Sequence, residues 1–323
     1  MGKQRTFASL AWTTKGKVTR RERFLAEMDA VIPWGDLLAL IAPHYPASRR
    51  GRPALGLEKM LRLYFVQQWF DLSDPQAEEI VYDSEAVRRF VGVELGEDGI
   101  PDETTILRFR HLLEQHALTA AIFEAIRGLL AEKQLLLKTG TIVDATIISA
   151  PSSTKNAAQA RDPEMRQTRK GTQWYFGMKL HVGSDRRGVV HHLTATHAAV
   201  ADVTQLPALL HGDERELYGD AAYWREADRA EWTEAGKRYR VTRRGKPYHP
   251  LTAAQRAVNR TRNRIRARAE HPFLVVKRHW GFTKVRYRGL AKNLARAFTM
   301  FGLANLYLLR RRLLPPQWAP CLT

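Results

Sequence analysis

The chain has 323 residues, of which 52 are Lys or Arg and 33 are Asp or Glu, so its formal net charge is +19. This length is enough for two domains, and a hydrophobic fraction of 44% is ordinary for a globular protein. The single cysteine, Cys321, excludes an intrachain disulfide and a thiolate zinc site, and the N-terminus lacks an apolar core of signal-peptide length, so we expect a cytoplasmic protein.

The first part of the chain combines basic segments with helical patterns. Residues 1–20 are polar and basic and are expected to form an arm, and Ser48 to Pro53 are expected to form a basic loop. Arg21 to Ala30 and Leu57 to Phe70 place apolar residues three and four positions apart, which is the spacing of a buried helical face.

Two helix starts follow. Ser73 stands before Asp74 and Pro75, and the same pattern recurs where Asp102 follows Pro101. Residues 21–135 are therefore predicted to be all-helical. A helix-turn-helix DNA-binding domain and a generic helical bundle are equally compatible with the periodicity.

After residue 136 the pattern becomes that of an α/β domain extending to residue 323. TIVDATIISA is rich in β-branched residues, and GMKLHVGSD and VVHHLTATHAAV alternate like two strands joined by a turn from Asp185 to Gly188. Asp202 is expected to cap a short helix, and ELYGDAAY to supply a strand that ends in Asp220. Strands interleaved with helices are typical of the α/β class.

The C-terminal part carries the positive charge. Residues 236–323 contain 22 basic residues and a single acid, Glu270, whereas residues 1–235 contain 30 basic and 32 acidic ones. This surplus favours a polyanionic partner such as nucleic acid over a solvated charged face. The apolar run Leu294 to Leu309 is interrupted by Arg296 and is shorter than the ~20 residues of a membrane span, so no membrane association is expected.

Three carboxylates stand in unusual settings. Asp144 lies within an apolar strand, Asp220 at a strand end, and Glu270 alone in a basic helix. Any one of them could be a structural ion pair. Together they provide oxygen ligands for two divalent ions, which phosphodiester chemistry uses to hold the attacking oxygen, the leaving oxygen and the phosphate in line.

Other chemistries have weaker signals. His191, His192 and His197 lack a partner pattern typical of a metal site and are interpreted as strand-surface or core residues. The aromatic and basic stretch with Trp174 and Tyr175 could stack on unpaired bases or belong to the core. No glycine-rich phosphate loop is present, so no nucleotide cofactor is expected.

The three carboxylate blocks in this order resemble the DDE transposases of bacterial insertion sequences, specifically the insertion-sequence-five family within the insertion-sequence-four superfamily. The resemblance covers nearly the whole chain. It rests on TIVDATIISAPSSTKN, YGDAAY and EHPFLVVKRHWGFTKVRYRGLAKN, and on the helical blocks RRERFLAEMDAVIPW, GRPALGLEKMLRLYFVQQWFDLSD and PDETTILRFRHLLE.

The family pattern of Arg, three residues, Glu, six residues and Lys matches Arg266, Glu270 and Lys277. Two positions depart from it. Asn263 stands where the wider signature often has Tyr, and Ala222 stands where many relatives have Gly. The first departure puts a DNA-holding role of that tyrosine in doubt, and the second leaves the local turn geometry open.

The resemblance implies a ribonuclease-H-like catalytic domain behind a helical, helix-turn-helix-like DNA-binding domain. It implies that Asp144, Asp220 and Glu270 bind two Mg²⁺, for which Mn²⁺ can substitute, and that the protein cleaves the terminal inverted repeats of its element and joins the 3′ hydroxyls to target DNA. A homodimer in a synaptic complex, associated with a bacterial nucleoid, is expected. The residues expected to contact DNA are Arg266, Lys277, Arg278, Lys284, Arg286, Arg288, Lys292, Lys179, Trp174 and Tyr175.

Two alternative hypotheses remain at this point. One is a stand-alone nuclease of the same fold. The other is a non-catalytic DNA-binding regulator in which the carboxylates are structural.

Overall fold

The computed structural model describes residues 15–46, 54–96, 98–157, 159–245 and 248–315. Most of the predicted basic arm, the basic loop from Ser48 to Pro53 and Cys321 lie outside these residues. The chain divides into two compact units, Met1–Leu118 with Leu309–Thr323 (the helical unit) and Thr119–Leu308 (the sheet unit).

The helical unit confirms the periodicity of the sequence. Its α-helices are α1 (Arg20–Val31), α2 (Trp34–Ile41), α3 (Leu57–Trp69), α4 (Asp74–Asp83), α5 (Glu85–Val91) and α6 (Glu103–Gln115). Both predicted helix starts are confirmed, because Ser73 forms a capping box with Gln76 and the Asp102 carboxylate accepts from the Thr105 amide at 2.7 Å. Each cap satisfies an amide that the first helical turn leaves unpaired.

Aromatic packing holds the helical unit together. Trp69 is 1% exposed and meets Phe24 and Phe90 edge-on, with ring centroids 5.2 and 5.5 Å apart. Phe65, fully buried, lies 6.0 Å from Trp69. Replacing a buried aromatic residue of this kind with Ala costs about 3–5 kcal/mol, so this cluster contributes substantially to the stability of the unit.

The sheet unit contains a six-stranded sheet and the remaining helices. Its elements are α7 (Leu118–Glu132), β1 (Gly140–Ser149), β2 (Arg166–Lys170), β3 (Gln173–Ser184), β4 (Val190–His197), α8 (Leu206–Leu209), β5 (Glu216–Tyr218), α9 (Glu226–Glu234), β6 (Arg238–Tyr239), α10 (Ala253–Arg266), α11 (Glu270–Leu274) and α12 (Leu290–Leu313). Short 3₁₀ turns, Asp202–Gln205, Ala221–Tyr223 and Ala267–Ala269, and a π-helical turn, Val275–His279, connect them.

The predicted domain boundary lies near residue 135, whereas the compact units divide at Leu118. The reason is that α7 packs within the sheet unit, where Phe123 and Phe298 have ring centroids 5.6 Å apart. The apolar run Leu294 to Leu309, which the sequence predicts to be a buried or amphipathic helix, is helical and forms part of α12. Within the described ranges, no helix is both long and apolar enough to cross a bilayer.

The sheet has the ribonuclease-H-like arrangement. β4, β3 and β1 pair antiparallel, and β5 and β6 continue the sheet parallel to β1. β2 forms a hairpin with the first half of β3. Three antiparallel strands followed by two parallel ones, in the order β4-β3-β1-β5-β6, confirm the predicted fold class.

The core of the sheet unit fixes the ends of β1 and β5. Val143 packs with Leu217 and Tyr223 in one buried cluster. Gly219 permits the close approach, since a Cβ at this position would lie 3.0 Å from Val143 Cγ2 and 3.3 Å from Tyr223 Cβ. The residue after Gly219, Asp220, is thereby held next to β1.

Candidate active site

Three separate elements carry the three predicted carboxylates to one cavity. Asp144 lies in the middle of β1, Asp220 follows β5 and caps the turn Ala221–Tyr223, and Glu270 is the first residue of α11. All three line a cavity of about 710 Å³. The residues are 76 and 50 positions apart in sequence (220 − 144 and 270 − 220), so the fold alone brings them together.

A turn of the sheet positions Glu270. Gly188, between β3 and β4, has φ +84, and a Cβ there would lie 2.5 Å from the carbonyl oxygen of Arg268. The Arg268 guanidinium also donates to the carbonyl of Arg186, in the same turn as Gly188, at 2.8 Å. These two contacts hold the turn Ala267–Ala269 against the sheet and thereby position the start of α11. The predicted turn from Asp185 to Gly188 therefore has a role in the site that the sequence did not indicate.

The Asp144 carboxyl is electrostatically destabilised. Its pKa is raised from 3.8 to about 6, chiefly by burial. The Arg266 charge and the hydrogen bond from the Ala145 amide oppose this rise, and the negative charges of Asp220 and Glu270 add to it. Its one backbone hydrogen bond comes from the Ala145 amide at 2.9 Å. A buried carboxylate beside two others favours a cationic partner, because a cation would restore its charged form.

Arg266 partly provides that positive charge. Its guanidinium lies 3.5 Å from an oxygen of Asp144 and 4.0 Å from an oxygen of Glu270. Its Nε atom is buried and has no hydrogen-bond partner within the described parts of the chain. Arg266 therefore links two of the carboxylates, and its buried Nε–H donor is unused within the described residues.

A fourth carboxylate, Asp202, lines the same cavity. The prediction that it caps a helix was wrong, because the N-cap of that turn is Ala201 and the Asp202 carboxylate instead accepts from Lys179 Nζ at 2.9 Å. Lys179 also donates to the carbonyl of Val200 at 2.8 Å. Lys179, predicted to contact DNA, is thus committed to an ion pair at the cavity wall.

Tyr223 is a buried hydroxyl among these acids. The side chain is 1% exposed, and its oxygen has no hydrogen-bond partner within the described residues. Burial raises its pKa strongly, and the charges of Asp202, Asp144 and Asp220 add to this effect. Tyr223 therefore stays protonated and has a donor to offer to the carboxylate cluster. Sequence patterns gave no signal for it beyond its place in YGDAAY.

Lys277 contacts β1 at two residues that line the cavity, Thr146 and Ile147. In the sequence, Pro272 predicts a bend or restart of the helix that follows Arg266, and the segment is irregular, because a 3₁₀ turn separates α10 from α11 and α11 passes into the π-helical turn Val275–His279. Lys277 Nζ donates to Thr146 Oγ1 at 3.0 Å and to the Ile147 carbonyl at 3.1 Å. Burial lowers its pKa. In this structure Lys277 supports the strand that carries Asp144.

The β2–β3 hairpin contributes cavity residues that the sequence analysis missed. Thr168, Arg169, Lys170 and Gly171 line the cavity. Trp174, directly opposite Arg169 in the hairpin, is 64% exposed, so it does not belong to the core. Tyr175 is half-buried and donates to Gln173 Oε1 at 2.8 Å. In the sequence, this hairpin is indicated only by the basic segment RQTRK next to the aromatic segment TQWYF. Strand β2 lacks the apolar alternation by which a strand is usually predicted.

The other residues predicted to contact DNA do not line this cavity. Arg278, Lys284, Arg288 and Lys292 are exposed, and Arg286 is half-buried. Arg286 and Arg288 border a separate cavity of about 190 Å³ beside the segment that follows β1. Of the residues predicted to contact DNA, only Arg266 and Lys179 line the carboxylate cavity.

The predicted histidines lie on β4 and at its end. His191 is buried and half-buried His192 is its neighbour, with their Nδ1 atoms 2.7 Å apart. Burial lowers the pKa of His191 to about 3, and the neighbouring His192 and His211 lower it further. His191 therefore remains neutral, and its interpretation as a core residue is confirmed.

The chemistry of the donor set fits Mg²⁺ or Mn²⁺. Hard oxygen ligands suit these ions, and Asp144, Asp220 and Glu270 supply carboxylates around one cavity. No three His, Cys, Asp or Glu side chains among the described residues are yet close enough to hold an ion together. Glu270 has a side chain 64% exposed, so it can move toward the other two without disturbing the core.

Comparison with known proteins gives two family matches and a distant similarity to solved structures. Residues 136–306 match the family described as Transposase DDE domain, and residues 13–112 match the Transposase domain (DUF772). The crystal structure of the Mos1 strand transfer complex matches at 14% identity over 92% of this chain and 96% of that chain, with a TM-score of 0.28. That score is too low to establish a common fold, so the fold assignment rests on the strand order described above.

Proposed function

The chain belongs to the DDE transposase family, and from that premise we propose that it cleaves DNA at the ends of its own element and joins the freed 3′ hydroxyls to target DNA. The observation that carries this proposal is that Asp144, Asp220 and Glu270, from three separate elements, line one cavity beside Arg266. Membership of the insertion-sequence-five family stays a prediction.

The proposed chemistry has two balanced steps. Hydrolysis of one phosphodiester at the element's end consumes a water molecule and leaves a 3′ hydroxyl and a 5′ phosphate. The 3′ oxygen then attacks a phosphodiester of the target and displaces a target 3′ oxygen, so one phosphodiester bond forms for each one broken. Both steps develop negative charge on the phosphate, which cationic groups at the cavity stabilise.

Asp144, Asp220 and Glu270 would hold two divalent ions. When bound, such ions activate the attacking oxygen and stabilise the leaving oxygen of an in-line displacement. For this role the Asp144 carboxyl must be ionised, and its pKa of about 6 leaves it mostly ionised at neutral pH. Tyr223 would orient the buried carboxylates by donating its hydroxyl hydrogen to one of them.

The cationic residues around the cavity would bind the phosphate. Arg266 pairs with Asp144 and Glu270, and its guanidinium would turn toward a phosphate once cations neutralise these acids. Arg169 and Lys170 bring two further positive charges to the cavity wall. Trp174, exposed on the same hairpin, would stack on an unpaired base near the cleaved bond.

The predicted homodimer follows from the reaction. Two ends must be held together for joining, so at least two copies of the chain are proposed to act in one complex. DNA flanking the gene is expected to carry short imperfect inverted repeats bounded by a target duplication, whereas a non-catalytic regulator would not require such repeats.

The decisive test is a cleavage assay with the full-length protein, labelled DNA from the element's ends, and Mg²⁺ or Mn²⁺. Asp144→Asn, Asp220→Asn and Glu270→Gln are each expected to reduce cleavage at least about a hundredfold, since each removes a proposed metal ligand. DNA binding, measured without metal, is expected to be retained. The matched control is Asp213→Asn, which removes an exposed acid of the same unit outside the cavity.

Each outcome bears on a specific claim. Cleavage that persists in one of the three variants removes that residue from the site. Metal-independent DNA binding with no cleavage by the wild-type protein would instead favour the regulator hypothesis.

A further inference from the structure

Helix α10 has two chemically different faces. On its inner face, Asn259 exchanges two hydrogen bonds with the backbone of Arg243, at 3.2 Å from the amide and 2.9 Å to the carbonyl. Arg262 donates to the carbonyl of Val241 at 2.6 Å. Arg266, at the helix end, lines the carboxylate cavity. These contacts fix which side of α10 faces the sheet unit.

The outer face carries an arginine stripe, which we define as Arg256, Arg260 and Arg264. All three are exposed, and their side chains make no hydrogen bond or ion pair with any residue that the structure describes. Positions four apart lie on nearly the same side of a helix and about 6 Å apart along its axis. The stripe therefore presents three guanidinium groups in a row over about 12 Å.

This arrangement is unfavourable for the isolated protein. Like charges four residues apart destabilise a helix by about 0.2–0.5 kcal/mol per pair. An exposed helix is ordinarily balanced by acids at such spacings, but α10 contains no Asp or Glu. An anionic ligand along the stripe would remove this repulsion.

We propose that the arginine stripe binds the phosphate backbone of the DNA segment that flanks the cleaved bond. This inference rests on the proposed function. The stripe's length of about 12 Å corresponds to roughly three to four nucleotide steps of one strand. Through the turn Ala267–Ala269, α10 leads directly to Glu270, so DNA bound along the stripe continues toward the carboxylate cavity.

Free exposed arginines fit this partner better than an acidic protein does. A phosphate backbone offers anionic oxygens at regular spacing, and Arg binds them in bidentate geometry. Along the sequence, Glu270 is the single acid from residue 236 onward, so this segment offers the stripe almost no acids with which to pair. A polyanion complements this excess of positive charge.

The test measures the salt dependence of binding in the absence of divalent metal. The full-length triple variant Arg256→Gln, Arg260→Gln, Arg264→Gln is titrated with a fluorescein-labelled duplex of the element's end between 50 and 300 mM KCl. Each phosphate contact contributes about 0.9 to the log-log slope, so we expect the slope to fall by about 2–3, with at least a tenfold loss of affinity at low salt. The corresponding triple Arg→Lys variant should keep most of the slope, because Lys also neutralises phosphate.

A charge-matched control distinguishes phosphate contacts made by the stripe from a general effect of the protein's net positive charge. Arg89, Arg127 and Arg229 are helix-surface arginines that each pair with a Glu three or four residues earlier. The triple variant Arg89→Gln, Arg127→Gln, Arg229→Gln removes the same net charge and should leave the slope nearly unchanged. Equal decreases of the slope in both triple variants would overturn the proposal. An unchanged slope in the stripe variant would also overturn it, provided that circular dichroism shows this variant to be folded like the wild type.

Two further outcomes are distinguishable. Loss of binding to poly-L-glutamate without any change toward DNA would assign the stripe to an acidic protein partner and overturn the DNA assignment. A lowered slope in the stripe variant, together with no cleavage by the wild-type protein, would refute the proposed function while supporting the stripe.

Discussion

An acidic region and a basic region of this molecule use arginine in opposite ways. Residues 54–118 of the helical unit contain thirteen acidic and six basic residues, and five of the six bases pair with an acid. Residues 236–323 contain 22 basic residues and one acid. In the first region arginine is a structural ion-pair residue, whereas in the second most of the cations lack a local counter-charge.

This difference shows that the presence of arginines alone does not locate a DNA surface, because it also matters whether they are already paired with acids. A paired arginine contributes to folding and offers little to phosphate, since breaking its pair costs part of what the new contact gains. The predicted DNA recognition by the helical unit stays a prediction, and the basic loop from Ser48 to Pro53 lies outside the described residues. The arginine stripe of α10 consists of arginine side chains that are not paired with acids, which is what binding to phosphate requires.

The largest expected effect on stability concerns a paired arginine. Arg110 has a side chain 7% exposed and lies 2.9 Å from Asp74 and 3.6 Å from Glu114. Arg110→Gln leaves two carboxylates without their cation, so we expect the free energy of unfolding to fall by about 3–5 kcal/mol. Urea denaturation followed by circular dichroism measures this change.

The matched control for Arg110 is on the same helix. Arg108 is exposed, and Arg108→Gln should change the unfolding free energy by less than about 0.5 kcal/mol. Arg264→Gln, in the arginine stripe, should also cost less than that. If Arg264→Gln destabilises the protein as much as Arg110→Gln does, the distinction between structural and available arginines is wrong.

A second prediction uses the pH dependence of the carboxylate cavity. The folded-state pKa of Asp144 is about 6 against 3.8 when unperturbed, which corresponds to about 3 kcal/mol at ~1.36 kcal/mol per pH unit. Because the pKa is higher in the folded state, ionising Asp144 costs more in the folded protein than in the unfolded chain. The contribution of about 3 kcal/mol to the unfolding free energy is fully present below pH 4 and is lost as pH rises through 6. In metal-free buffer the wild-type protein should therefore become less stable relative to Asp144→Asn between pH 4 and 7.

Added Mg²⁺ sharpens this prediction. Above pH 6 it should raise the unfolding free energy of the wild type, because an ion bound only by the folded state stabilises it. The Asp144→Asn protein should show a much smaller increase, and Asp213→Asn should behave like the wild type. A pH profile that is the same for wild type and Asp144→Asn would contradict the electrostatic description of the site.

Much of the candidate site could be predicted from local sequence. Asp144 interrupts an apolar strand pattern, Asp220 ends another, and Glu270 is the sole acid of its region, so each is conspicuous by its immediate neighbours. Strand β1 and the β3–β4 turn were predictable for the same reason, since alternation and turn residues are local properties.

The remaining features depend on packing between distant segments. Whether Asp202 caps a helix or pairs with Lys179, 23 residues away, is decided by the sheet. β2 was not predicted because none of its residues is buried, so the strand shows no alternation. Pro272 indicated an irregular helix, but only the fold determines that the π-helical turn directs Lys277 toward Thr146.

A third prediction concerns the exposed aromatic residue of the β2–β3 hairpin. Trp174→Ala should weaken binding to end DNA with unpaired bases by about 1–3 kcal/mol, because base stacking on an aromatic ring contributes that much. Fully paired duplex should bind almost as before. The control is Tyr248→Ala, which removes an aromatic residue 92% exposed outside the hairpin. If Trp174→Ala weakens binding to both DNA forms equally, Trp174 contacts the DNA backbone and does not stack on an unpaired base.

The smallest expected effect tests the paired arginines at the protein surface. Arg89 is 39% exposed and lies 2.8 Å from Glu85. Burial alone would raise the pKa of Glu85, but hydrogen bonds from Arg89 and Arg88 outweigh it and lower the pKa. Arg89→Gln should cost about 0.3–0.5 kcal/mol at pH 7. Because the pKa of Glu85 is lowered in the folded state, the loss of unfolding free energy in Arg89→Gln should shrink as pH falls through that pKa.

The same variant also tests DNA binding. The slope of log affinity against log salt concentration should not change in Arg89→Gln, and a decrease of about 0.9 would show that a paired arginine also contacts phosphate.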